Sequence, residues 1–256
     1  LGEDIGSYGG AFGVSRGLLE KFGPSRIIDS PISEGSITGL GVGTALTGLR
    51  PIIEIMYMDF IALSLDQILN KAAKFRFLSQ GKIPVPLVIR TAAGGGRYYG
   101  PDHSQSLEGI FIHIPGLRIV VPSTPYDAKG MLKAAIRSDD PVLFVEYKAL
   151  YGIRGSVQEH PDEIIPLDKA AVRKEGSDIT VLAFGRMVHK AMEVLLQIEQ
   201  ERGCSIELID LRTLCPLDME TINNSVEKTG HLVIIEEGCV TGGVGGEIAA
   251  KVMESS

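Results

Sequence analysis

Cysteine is scarce. Only Cys204, Cys215 and Cys239 occur in 256 residues, well apart and with no C-x-x-C pair, which argues against a zinc site or a disulfide framework. Reduced thiols fit a cytoplasmic setting or an organelle matrix. Long apolar runs are absent too: Ile179–Phe184 is far too short to cross a bilayer, and the amino terminus has no signal-peptide pattern, so a soluble protein is expected. Basic residues form no run. With 25 Lys and Arg against 32 Asp and Glu the net charge is -7, which speaks against nucleic acid or an anionic membrane surface as partner. No G-x-x-x-x-G-K-[ST] motif occurs. The turn Gly242–Gly246 fails G-x-G-x-x-G because Ile248 stands at the last glycine position, and tight turning beside an interface is the better reading. His103 and His113 are too far apart to ligate a metal from one helical face.

What remains is a chain of 44% hydrophobic residues, long enough for two domains with good cores. Strand-like and helix-like runs alternate, the pattern of a parallel sheet covered on both faces. Strands are expected at 51–56, 85–90, 117–121 and 142–146, with a helix from Phe60 to Leu78. Another helix is announced by Thr124 as cap, Pro125 at the first helical position and Asp127 three residues after the cap. The stretch 151–177 is polar and irregular, with Gly152, Gly155, Pro161 and Pro166, and reads as a linker between domains at 1–150 and 178–256. The second domain should hold strands at 179–184, 205–210 and 231–236 and helices at 186–202 and 217–228.

Glu34 draws attention first. It lies in Asp29-Ser-Pro-Ile-Ser-Glu34-Gly35, where a short strand gives way to a glycine-rich helix almost without charge. A carboxylate at such an entrance is partly removed from water and placed for proton exchange with a bound group. The plainer alternative is a helix cap meeting the positive end of the dipole. Ligands of open parallel sheets bind beyond the carboxyl ends of the strands. Glu34, the Met56–Phe60 stretch and the loop ending at His103 each follow an expected strand, so all three should meet on one edge.

Six segments occur in one order over about a hundred residues: Ser33-Glu34-Gly35, Glu54-Ile-Met56-Tyr-Met-Asp59-Phe60, Asp102-His103-Ser-Gln-Ser106, Pro115-Gly-Leu117, Pro125-Tyr-Asp-Ala-Lys-Gly130 and Asp140-Pro-Val142. In this the chain resembles the beta subunits of the thiamine-diphosphate-dependent 2-oxo acid dehydrogenases, from Leu1 to Ser256. The resemblance implies an α/β fold of two doubly wound domains. The first would be a transketolase-like pyrimidine-binding domain with a parallel sheet. The second would be a transketolase C-terminal-like domain, incomplete at its end, with an opening segment missing before Leu1.

The resemblance also implies roles. The glutamate at position 34 would hydrogen-bond N1′ of the thiamine diphosphate aminopyrimidine, with Met56 and Phe60 packed on the ring; otherwise Met56 and Phe60 are ordinary core at a strand-to-helix junction. His103, after the loop containing Gly94-Gly95-Gly96, would face substrate and assist acyl transfer to a lipoyl arm; a structural histidine is the alternative. Asp102 departs from the Gln or Tyr usual before it. Potassium would be held largely by backbone carbonyls near Leu87, Ala135, Ile136 and Asp140, where Ser138 and Asp140 replace the more usual Asp and Asn.

A Gly-Asp-Gly followed by a distant Asn-Asn, the segment that holds magnesium and pyrophosphate, is lacking, so an alpha subunit would supply it in an alpha2-beta2 assembly docked to a lipoyl acyltransferase core. Pyruvate is the expected substrate, with acetoin cleavage or a branched-chain 2-oxo acid as enzymatic rivals. A non-catalytic scaffold is the reading from another class, and the joint presence of Glu34, Met56, Phe60 and His103 speaks against it.

Overall fold

The structure, a computed structural model, describes residues 1–160 and 162–255. Pro161, one of the linker signals, and Ser256 lie outside the described residues. The helices are α1 (Leu18–Phe22), α2 (Glu34–Leu46), α3 (Ala73–Leu78), α4 (Glu108–Phe111), α5 (Pro125–Arg137), α6 (Arg186–Arg202), α7 (Met219–Thr229) and α8 (Val244–Ser255). The strands are β1 (Ile52–Ile55), β2 (Val88–Ala93), β3 (Arg118–Val120), β4 (Val142–Tyr147), β5 (Ala171–Lys174), β6 (Ile179–Ala183), β7 (Ile206–Asp210), β8 (Thr213–Cys215) and β9 (Leu232–Ile235). They form two mixed, mostly parallel sheets, ordered β1-β2-β4-β3-β8 and β5-β7-β6-β9.

The first sheet is covered on both faces, and every residue of β2 is buried. Arg90 sits in the middle of that strand. It donates to Glu54 of β1 at 2.6 Å and, through Nε and Nη2, to both carboxylate oxygens of Glu146 of β4 at 2.8 and 2.6 Å. Three neighbouring strands thus share one charge cluster, completed by the Tyr151 hydroxyl donating to Glu146 at 2.6 Å. Removing one partner from such a buried set costs about 3–5 kcal/mol, because the other charge stays behind unpaired. Strand β2 begins three residues later than expected, since Pro84 and Pro86 have no N–H to give to the ladder.

Helix α2 follows no full strand; only a single bridge between Gly2 and Asp29 precedes it. It packs closely on β1, where a Cβ on Gly41 would lie 2.7 Å from Ile53 Cγ2. The helix expected over 60–78 starts earlier and is irregular: a 3-10 segment at Met58–Ser64 and a π segment at Gln67–Ala72 precede α3. Both segments pack on α2: Thr38 Oγ1 donates to Ser64 Oγ at 2.8 Å, a Cβ on Gly35 would lie 3.0 Å from the Leu63 carbonyl, and one on Gly39 would lie 3.4 Å from Gln67 Oε1.

Helix α5 is capped as its sequence implies, Thr124 Oγ1 accepting the Asp127 N–H at 3.1 Å. The Asp127 carboxylate reaches back to the cap side chain, accepting the Thr124 hydroxyl at 2.5 Å, rather than to the cap backbone. Wholly buried, it pairs with Arg173 of β5 and Arg212, and Arg173 also donates to Asp210 at 2.7 Å.

Two strands were not expected. Residues 171–174, inside the stretch read as linker, form β5 and pair antiparallel with β7. Strand β8 leaves the second sheet just after Asp210 and pairs antiparallel with β3 in the first. One apolar cluster accordingly runs from Ile53 and Ile89 through Leu182 and Ile209 to Ile248. No helix among the described residues is long and apolar enough to cross a membrane.

Candidate active site at the His103 loop

The chain leaves β2 into a loop that is closed at its base by Gly94 N–H donating to Gln105 O at 3.0 Å. Gly94 has φ +81, and a Cβ there would meet the Tyr147 ring at 2.5 Å, so only glycine lets the loop turn so close to β4. The loop ends in a 3-10 turn, Pro101–His103. Just beyond it, Gln105 N–H donates to Asp59 Oδ1 at 3.0 Å, tying the loop to the segment that follows β1.

This tie brings the His103 imidazole against two rings of that segment. It meets Tyr57 edge to face with centroids 4.8 Å apart, and Phe60 at 5.2 Å. Its Nδ1 is buried, 3.2 Å from Asp102 Oδ1 but without the alignment of a hydrogen bond. The Asp102 carboxyl is held below its ordinary value, first by the His103 side chain. The other carboxylate oxygen of Asp59 is buried without a partner.

Glu34 is the first residue of α2 and is half-buried. Neither it nor Ser33 makes a side-chain cap, so the capping alternative has only the dipole in its favour. The Glu34 carboxylate has no hydrogen bond or ion pair among the described residues. Its charge reaches Glu3, whose carboxyl is raised by burial first, then by Asp4 and Glu34. Of the four expected residues, Phe60 and His103 touch. Glu34 stands at the head of the helix packed on the Phe60 segment. Met56 borders a small recess beside Phe12, Glu54 and Arg90 that His103 does not line.

Leu87, Ala135, Ile136 and Asp140 come together where β2 begins and α5 ends, joined by Val85 N–H donating to Asp139 O at 3.0 Å. Arg50 donates there to the Ile136 carbonyl at 3.1 Å and to Ser138 O at 2.8 Å, and the Asp140 carboxylate faces Arg76 and Arg118. Positive side chains already serve this corner.

Sequence reasoning missed several charged groups around the loop. Lys148, wholly buried, donates to Gly94 O and lies over the Tyr57 ring, 5.8 Å from its centroid; burial pushes its ammonium down. Glu237, just past β9, accepts the Gly95 N–H at 2.5 Å. Glu108 is 2% exposed with one oxygen unpartnered, and burial, aided by the Glu237 and Glu236 charges, raises its carboxyl to about 7. The Gly242–Gly246 turn abuts α4, where a Cβ on Gly109 would lie 2.4 Å from the Gly242 carbonyl, and Glu236 accepts Val244 and Gly245 N–H groups at the start of α8. A larger cavity of about 380 Å³ lies elsewhere, between α5 and β4, and none of the four expected residues lines it.

Comparison with known proteins gives two family matches: transketolase, pyrimidine binding domain, over residues 1–154, and transketolase, C-terminal domain, over 168–256. The chain is 46% identical over 255 residues to the 2-oxoisovalerate dehydrogenase subunit beta of Bacillus subtilis, covering 99% of this chain and 77% of that one. It is 46% identical to the pyruvate dehydrogenase E1 component subunit beta of Porphyra purpurea, covering 99% and 76%. It is 44% identical to the acetoin:2,6-dichlorophenolindophenol oxidoreductase subunit beta of Cupriavidus necator, covering 100% and 78%. Among solved structures, a split-gene transketolase described as an inactive beta4 tetramer matches with TM-score 0.75 at 25% identity, over 94% of this chain and 75% of that one.

Proposed function

The chain belongs to the beta subunits of the thiamine-diphosphate-dependent 2-oxo acid dehydrogenases, and we propose that it forms the pyrimidine-side half of a decarboxylating active site acting on pyruvate. The observation that carries this is the His103 imidazole packed on Phe60 and Tyr57 beside the helix that Glu34 opens. The residues fit the cofactor's pyrimidine end: a half-buried carboxylate with no hydrogen-bond partner among the described residues, and aromatic walls ending at a histidine nitrogen with no aligned acceptor.

When bound, thiamine diphosphate supplies the electron sink for decarboxylation. Glu34 would hold and exchange a proton at pyrimidine N1′, Phe60 and Met56 would keep water from the ring, and His103 would handle protons on the substrate side. Low polarity around Phe60 strengthens any hydrogen bond that Glu34 makes there. Magnesium and pyrophosphate would be held by an alpha subunit in an alpha2-beta2 assembly, with the acyl group passed to a lipoyl acyltransferase core. For potassium, the carbonyls near Leu87, Ala135, Ile136 and Asp140 are the candidate ligands, shared with Arg50, and no step runs through them. A cytoplasmic or organelle-matrix setting suits the free thiols of Cys204, Cys215 and Cys239.

Relatives named for pyruvate, acetoin and 2-oxoisovalerate chemistry are alike in identity, which leaves acetoin and a branched-chain 2-oxo acid as rival substrates. The test is the tetramer reconstituted with its alpha partner and offered pyruvate, acetoin and 2-oxoisovalerate in turn. Fastest turnover of pyruvate is expected; faster cleavage of acetoin or faster turnover of 2-oxoisovalerate would overturn the substrate assignment.

A further inference from the structure

The peptide between Gly94 and Gly95 is gripped from both sides by charged side chains of opposite sign. Lys148, from the turn after β4, donates its ammonium to the Gly94 carbonyl. Glu237, from beyond β9 in the second sheet, accepts the Gly95 N–H at 2.5 Å. A peptide unit is negative at its oxygen and positive at its N–H, so both charges lie along its dipole and each strengthens the other's hydrogen bond. Both side chains are shielded: Lys148 is wholly buried and Glu237 is 16% exposed. Hydrogen bonds to charged groups in such places are the strong ones.

The surroundings reinforce the grip. Arg186, the first residue of α6, lies 3.7 Å from Glu237 and so close to Gly96 that a Cβ there would be 2.6 Å from the guanidinium. Arg97 donates to the Lys148 carbonyl at 3.2 Å. Lys148 also stands over the same Tyr57 ring whose edge contact helps hold His103.

We propose that Lys148 and Glu237 clamp the Gly94–Gly95 peptide and thereby station the loop that carries His103, which makes Glu237, in the second α/β unit, a positioning residue for a site built on the first. The proposal rests on the reading of His103 as an active-site residue. It gives the second unit a part in the chemistry without any contact to the reacting atoms. Loss of Glu237 leaves the Gly95 N–H unsatisfied and Arg186 without its carboxylate; loss of the Lys148 charge frees the Gly94 carbonyl.

The experiment uses the assembled tetramer with Glu237→Ala, Glu237→Gln and Lys148→Met. Two readouts are taken: the rate of tryptic cleavage after the exposed Arg97, which follows local opening of the loop, and kcat and KM for decarboxylation and for acylation of a lipoyl domain. For Glu237→Ala we expect cleavage about tenfold faster and a several-fold lower kcat for acylation, with KM for the 2-oxo acid unchanged. Glu237→Gln retains an acceptor for Gly95 and should restore most of both. Lys148→Met should behave as Glu237→Ala does, whereas Lys148→Arg, which keeps the charge and a donor, should restore most of both. Wild-type cleavage rates in Glu237→Ala overturn the clamp whatever the activities. Faster cleavage with unchanged kinetics leaves the clamp standing and overturns the reading of His103 instead.

Discussion

His103 meets Phe60 edge to face, with ring centroids 5.2 Å apart and planes at 82°. The positive rim of one ring faces the π-cloud of the other, so the imidazole is oriented by packing as well as by its backbone turn. A histidine held in this way at the end of a glycine-rich loop can present one nitrogen outward while the other stays covered.

If that outward nitrogen serves acyl transfer, His103→Ala should impair acylation of a lipoyl domain more than release of carbon dioxide with an artificial electron acceptor. The two rates are measured on the reconstituted tetramer. Wild-type values for both would make His103 structural. An equal fall in both would place the imidazole earlier in the reaction.

Glu34→Gln should fold normally, since neither Ser33 nor Glu34 uses its side chain to cap α2. The amide cannot exchange a proton with the pyrimidine as the carboxylate does, so activity should fall roughly 10²-fold or more, the usual scale for an acid-base group. Near-normal decarboxylation with an unchanged circular dichroism spectrum would remove Glu34 from the chemistry.

Purified without an alpha subunit, the chain should bind thiamine diphosphate poorly, because the strongest contacts, to magnesium and pyrophosphate, are expected on the other subunit. Calorimetry with and without the partner distinguishes the cases. Micromolar, magnesium-dependent binding by the isolated chain would contradict the shared site.

Glu108 makes stability depend on pH. Its folded carboxyl is raised to about 7, chiefly by burial, against 4.5 when unfolded. Below pH 4.5 both states hold the proton. Between 4.5 and 7 the unfolded chain releases it while the folded chain keeps it, so stability falls as pH rises and levels off above 7. The loss is at most on the order of 3 kcal/mol. Thermal unfolding at pH 5 and pH 8 should therefore show a smaller difference for Glu108→Gln than for the wild type, and equal differences would show that Glu108 does not carry the effect.

Much of the architecture was legible in the sequence because its signals are local. Helix α6 begins at Arg186 and ends at Arg202 as its apolar spacing and the following Gly203 imply, and Thr124 caps α5. The meeting of Phe60 with His103 was legible because each follows a strand of one parallel sheet. Strands β5 and β8 were not. Each has only three or four residues, and each exists by pairing antiparallel with a strand far away in sequence or in the other half of the chain. Lys148 and Glu237 were missed for a similar reason. A lysine in Glu146-Tyr-Lys148-Ala reads as surface, and only the approach of Gly94, over fifty residues earlier, buries it and gives it an acceptor. The Asp127 carboxylate does more than the spacing after Thr124 suggests: it closes a local box by accepting the Thr124 hydroxyl, and two arginines from the second half pair with it as well.

The crossing of β8 from one sheet to the other interlocks the halves. Cut after residue 154, where the first family match ends, the amino-terminal part would expose the side of β3 that β8 now covers, an open row of backbone donors and acceptors ready to pair with any other chain. The carboxyl-terminal part would keep a three-residue strand with nothing to pair against. The two α/β units are therefore not beads on a string: the first depends on a strand of the second to close its sheet, and the intact chain should unfold as one cooperative body.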